Sequence, residues 1–176
     1  GNSGLDRKGN LLLSDLPFRY EGAEELHPTF WRYPKTLAGD GREPMDEAFY
    51  EAGFNWKAAK GAKTVIKRVL PYFNRDARHF CSHAHTPPEK TSKCAAVLRT
   101  ENVFLFADPV FRTYRQHGMS IIRLAMKHAL EELIGPPAFG NGLPGTVLLS
   151  VRGKGADAHL TLLHYIPVRK ALEIDP

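Results

Sequence analysis

The run NVFLFADPVFRTYRQHG, residues 102–118, joins an apolar stretch of strand length directly to a helix start. NVFLFA is apolar at nearly every position, the character of a strand covered on both faces rather than one. Asp108 is a residue type favoured at a helix N-cap, and Pro109 suits the first helical position, where a missing N–H leaves no bond unmade. VFRTYRQH follows, and Gly118 offers a left-handed stop. From Met119 a second helix is expected to about Ile134. Ile122, Ala125, Met126, Ala129, Leu130 and Leu133 recur at three- and four-residue spacing, with Arg123, Lys127, Glu131 and Glu132 on the polar side. Gly135-Pro136-Pro137 closes it. A strand feeding helices in this way points to the α/β class.

Upstream, KTVIKRVLPYF holds Val65, Ile66, Val69 and Leu70 in a β-branched run that Pro71 ends, and KCAAVLR is a second short apolar run. FYEAGFNWK reads as a strand ending in a turn at Gly53. GNSGLDRKGN is turn chemistry, LLLSDLPF is an apolar segment that Pro17 interrupts, and residues 27–45 read as a long irregular excursion. Trp31, Tyr33, Phe54 and Trp56 in this half are expected to pack beneath it rather than to form a sugar platform. After residue 137 the pattern changes. Val147, Leu149 and Val151 alternate with Leu148, Ser150 and Arg152, Gly153-Lys154-Gly155 begins a turn, and His159 to Ile166 form a return strand. The expected organisation is an α/β part over 1–137 and the start of a small β part, an antiparallel hairpin, over 138–176.

Apolar residues make up 43% of the 176, enough to build a core. The formal charge of +5 is spread among both signs without a basic run, so a nucleic-acid partner is not expected. No apolar run reaches the roughly 18 residues of a membrane span, so no membrane partner is expected either. Cys81 and Cys94 could pair, yet two cysteines do not make a disulfide framework.

The densest chemistry lies in RHFCSHAHTPP, residues 78–88. His79, Cys81, His83 and His85 are all zinc-ligand types, but on an extended strand they spread over about 20 Å at roughly 3.3 Å per residue, so one ion would need the loop to curl. Cys81 between histidines has the makings of a nucleophile, without an orienting third residue. Asn74, Arg75, His79, His83 and His85 are planar or forked hydrogen-bonding groups suited to sugar hydroxyls, with Tyr72, Phe73 and Phe80 as stacking faces. In the fourth reading the loop is structural, its histidines bond backbone carbonyls, and Phe80 and a buried, inert Cys81 fill the core. Of the other polar groups, Arg112 and Arg115 are expected to be solvated, and His164 and Tyr165 to face a seam between the two parts.

SGLD, PYFNRDARHFCSHAHTPP, NVFLFADPVFRTYRQHG and LTLLHYIPVRK together resemble the C-terminal part of bacterial glycoside hydrolases of the β-galactosidase-like kind. The resemblance implies a partial trimerisation domain with a flavodoxin-like, class I glutamine amidotransferase-like parallel sheet, followed by the first strands of a β-sandwich. It implies a fragment of a longer enzyme whose two catalytic carboxylates lie upstream, so no catalytic residue, metal or cofactor is carried over. The partners implied are a carbohydrate, reached through the parent enzyme, and further copies of the chain in a homo-oligomer, a trimer. In such trimers the loop bearing Asn74, Arg75, His79, His83 and His85 would close the sugar site.

Overall fold

A computed structural model describes residues 15–38, 45–83, 85–137, 142–144, 146–153 and 155–165. The expectations for GNSGLDRKGN, Lys154, Ile166 and the tail fall outside them. The strands are β1 (Phe18–Ala23), β2 (Thr29–Arg32), β3 (Asp46–Phe49), β4 (Phe54–Ala58), β5 (Lys63–Pro71), β6 (Pro88–Arg99), β7 (Phe104–Phe106), β8 (Val147–Arg152) and β9 (His159–His164). The helices are α1 (Lys35–Ala38), α2 (Val110–His117) and α3 (Ser120–Ile134).

Every strand pairing among the described residues is antiparallel. The main sheet runs β3-β2-β5-β6-β7 and curls like half a barrel, β1 pairs with β4, and β8 pairs with β9. The expected parallel, flavodoxin-like sheet is therefore wrong. A parallel pair needs a crossover between its strands, and here both longer helices follow β7, the last strand of the main sheet, instead of separating strands within it. β5 and β6 are joined by the histidine loop and β6 and β7 by a short turn, so they return on themselves.

Two apolar clusters explain why NVFLFA looks buried on both faces. Phe104 and Phe106 of β7 face Trp31, Phe49, Ile66, Val110, Ile121, Ile122 and Ala125, the cluster under the helices. Leu105 faces the other way, toward Phe18, Trp56, Ala95 and Leu98 beneath the β1–β4 pair. An antiparallel sheet sandwiched between helices and a second strand pair gives the same unbroken apolar run as a parallel one. The excursion read as irregular, residues 27–45, holds β2 and α1, and Trp31 and Tyr33 within it, like Trp56 of β4, are buried packing residues.

The helix ends follow expectation in part. Gly118 adopts the left-handed conformation (φ 62°) and its N–H bonds the Tyr114 carbonyl at 2.8 Å. At the other end of α2, Pro109 is the cap and no side chain caps it. Asp108 is not an N-cap; its carboxylate turns into the core. There Oδ1 accepts from Arg68 Nη2 and Oδ2 from Trp31 Nε1, each at 2.7 Å, with no side-chain exposure on either ion. Arg68 Nη1 also donates to the Phe54 carbonyl (2.8 Å) and Asn55 Oδ1 (3.1 Å), and lies 3.6 Å from the nearly buried Glu24. The β7–α2 junction is thereby bolted to β2, β4 and β5. Its tightness excludes a side chain at Gly53, whose Cβ would fall 2.1 Å from Asp108 Oδ1 and 2.6 Å from the Ala107 carbonyl.

Candidate functional site

β5 ends at Pro71 and β6 begins at Pro88, so the intervening loop springs from the central pair of the main sheet. Two ties hold its base. Asn74 donates from Nδ2 to the Glu25 carbonyl (2.7 Å) and accepts at Oδ1 from the His27 N–H (2.8 Å), clamping the loop to the β1–β2 connection. Thr86, fully buried, donates to the Phe73 carbonyl at 2.8 Å.

Between these ties the chain folds on Asp76. Its Oδ1 accepts from the N–H groups of Arg78 and His79, each at 2.7 Å, and His79 Nδ1 lies 3.2 Å from both carboxylate oxygens. The His79 ring contact above all, then the two backbone N–H groups, hold the Asp76 carboxyl below its ordinary range. The tip turns its apolar and cationic groups outward. Phe80 is 73% exposed, with the Arg75 guanidinium 5.3 Å from its ring centroid. The expectation that Phe80 fills the core is thus overturned: an aromatic ring stays in water beneath a guanidinium.

The five expected ligand-contacting residues part company. Asn74 is spent on backbone. His85 stands against β2 and β3, its ring edge-on to Phe30 (5.6 Å) and Tyr50 (5.5 Å), with Nδ1 2.8 Å from Tyr50 Oη. Arg75 and His79 gather at the tip around Phe80, Phe73 and Asp76. His83 is exposed and its carbonyl lies 3.6 Å from Cys81 Sγ. Cys81 is half-buried, and both it and Cys94 are free thiols, so they form no disulfide. Among the described residues no three His, Cys, Asp or Glu side chains converge on a point that would hold a metal.

Elsewhere, Arg112 is largely exposed and pairs with Glu51 at 2.9 Å, and Arg115 is exposed. His164 and Tyr165 are exposed rather than packed into a seam. Reading the residues alone missed Asp76, Tyr50 and the Arg68–Asp108 pair. For the last a signal existed: Lys67 and Arg68 are adjacent on a strand, so with a period of two one of them must point inward.

No family model matches the chain, and no curated protein does. A solved structure does: α-L-fucosidase isoenzyme 2 from Paenibacillus thiaminolyticus, with a TM-score of 0.81 and 24% identity, over 99% of this chain. The chain spans 27% of the length of that enzyme chain. At this identity the likeness establishes a shared fold.

Among the described residues no helix is long and apolar enough to cross a membrane.

Proposed function

We propose that this chain is a non-catalytic region of a carbohydrate-active glycoside hydrolase, and that the loop from Tyr72 to Thr86 contributes to its sugar site. The observation that carries the reading is the fold match of nearly the whole chain to about a quarter of an α-L-fucosidase. The loop supports it chemically. A ring exposed beside a guanidinium, with imidazoles and a carboxylate nearby, suits a sugar, which offers C–H faces to aromatics and hydroxyls to forked donors. Its base is anchored at Asn74 and Thr86, so these groups are presented from a rigid footing. Asn74 and His85 then position the loop, while Arg75, His79, His83 and Phe80 meet the ligand.

The test is kinetic, on the gene product that contains this chain, with aryl α-L-fucosides tried first. Replacing Phe80, His79 and His83 together by Ala should raise KM several-fold and leave the fold's melting temperature unchanged. Unaltered kcat and KM would remove the loop from the sugar site. Absence of glycosidase activity against any aryl glycoside would remove the enzyme reading itself. The same reading gives the region a part in subunit assembly, as in a trimer; a fully active monomer in light scattering would strike that out.

A further inference from the structure

α2 and α3 enclose an open trough of about 720 Å³. One wall is a row along α3 in which every fourth residue is apolar: Ile122, Met126, Leu130 and Ile134. The other wall is Phe111 and Tyr114 of α2. The row starts buried at Ile122 (2%) and rises out of the protein to Leu130 (51%) and Ile134 (80%), while Phe111 is 75% exposed. Beside it runs a charged row at the same spacing, Arg123, Lys127 and Glu131. Large apolar side chains presented together at this exposure mark an interaction surface.

Two patterns along α3 choose the occupant, because each is complementary to its own reverse. The first is relief. The apolar row recedes at Ile122 and protrudes at Ile134. Turned end for end, a second copy's row sets its protruding Ile134 over the receding Ile122, beside Phe111, and its Leu130 against Met126. A twofold axis makes each of these contacts twice. The second pattern is charge. Reversal about Lys127 brings Arg123 of each copy to Glu131 of the other, so two opposite-charge pairs form. One like-charge pair forms as well, Lys127 with its counterpart, but each of these lysines already lies 3.8 Å from Glu131 of its own helix. Two attractions outweigh one repulsion that is partly neutralised beforehand. The two reversals share nearly one centre: the apolar row is centred midway between Met126 and Leu130, the charged row on Lys127, about 1.5 Å away along the helix.

We infer that this trough is a twofold interface between two copies of the chain, with α3 of one packed antiparallel on α3 of the other. The inference goes beyond the glycoside hydrolase reading and does not depend on it. It also differs from a threefold assembly, which would use another surface.

Sedimentation velocity of the natural gene product containing this chain, over a range of concentrations, tests this. The product should sediment as an even number of chains. Ile134→Glu, at a surface position, should halve that number and leave the melting temperature unchanged. Arg123→Glu should weaken the pairing about tenfold or more. Arg123→Glu combined with Glu131→Arg should restore it. The two positions stand eight residues apart, about 12 Å along one helix, so they meet only between copies. The swap also keeps an acid four residues from Lys127. A monomer at every concentration would overturn the interface, as would an even assembly that neither single variant splits. A trimer that neither variant alters would overturn it and leave the proposed trimer standing. Failure of the swap to rescue Arg123→Glu would overturn the antiparallel pairing, because Arg123 would then act within its own chain.

Discussion

β5 carries Arg68 and ends where the histidine loop begins, yet the two neighbourhoods treat charge in opposite ways. Arg68, Asp108 and Glu24 are removed from water, and their charges are met by each other, by Trp31 and by a strand carbonyl. Asp76, His79 and Arg75 stay in water and are met by local turn geometry and an exposed ring. The buried group cannot lose Arg68 or Asp108 without leaving a buried charge short of its nearest partner, so it constrains the fold. The exposed group can lose a member and keep its shape, so its chemistry is available for a ligand.

Arg68→Met should break this contrast most forcefully. It leaves two carboxylates in the core without their cation, a loss of about 3–5 kcal/mol in urea unfolding; a loss below about 1 kcal/mol would mean the site admits water and resembles the loop after all. Trp31→Phe keeps a six-membered ring for the stack on Phe49 (4.2 Å) but removes the N–H donated to Asp108 together with the rest of the indole, leaving a cavity. Its expected cost is about 2–3 kcal/mol, a hydrogen bond to a charged group plus a cavity term. Asn74→Ala should cost about 1 kcal/mol or less and act locally. Amide exchange at His27 should quicken while that of β5 and β6 holds; a global effect would show the loop to be part of the core.

The smallest effect is electrostatic. The Asp76 carboxyl is depressed in the folded protein, chiefly by the His79 ring. Its contribution is therefore present above the unfolded aspartate value of about 3.9 and fades as pH falls through the lower folded value. The amide shifts of Arg78 and His79 should report a midpoint below that of an ordinary aspartate, moving up in His79→Ala. A midpoint already at the ordinary value would show that the turn does not form in solution.

Much of this architecture is written in local patterns. The β-branched run of β5, the spacing of α3, Gly118 and the β8–β9 alternation each identify an element, because each depends on neighbours a few residues apart. Strand direction does not. It depends on where the chain goes after NVFLFA, and an apolar strand says only that both faces are covered. β6 begins earlier than its apolar stretch KCAAVLR because PEKTS, its first residues, is solvated and carries no burial signal. Asp108 misled for a related reason: an acid before proline and a helical run fits a cap, and its true partners stand 40 and 77 residues away. In the loop, residue types marked the region, but which histidine meets Tyr50 and which meets Asp76 follows from how the chain turns.

The chain has two tryptophans, and the sheet divides them. Trp31 lies in the cluster beneath the helices, and Trp56 in the cluster beneath the β1–β4 pair. Each face of the sheet thus carries its own fluorophore. Single-tryptophan variants would let the emission of one layer be followed without the other. Coincident melting curves would make the two layers one cooperative unit, and separated curves would reveal which layer lets go of the sheet first.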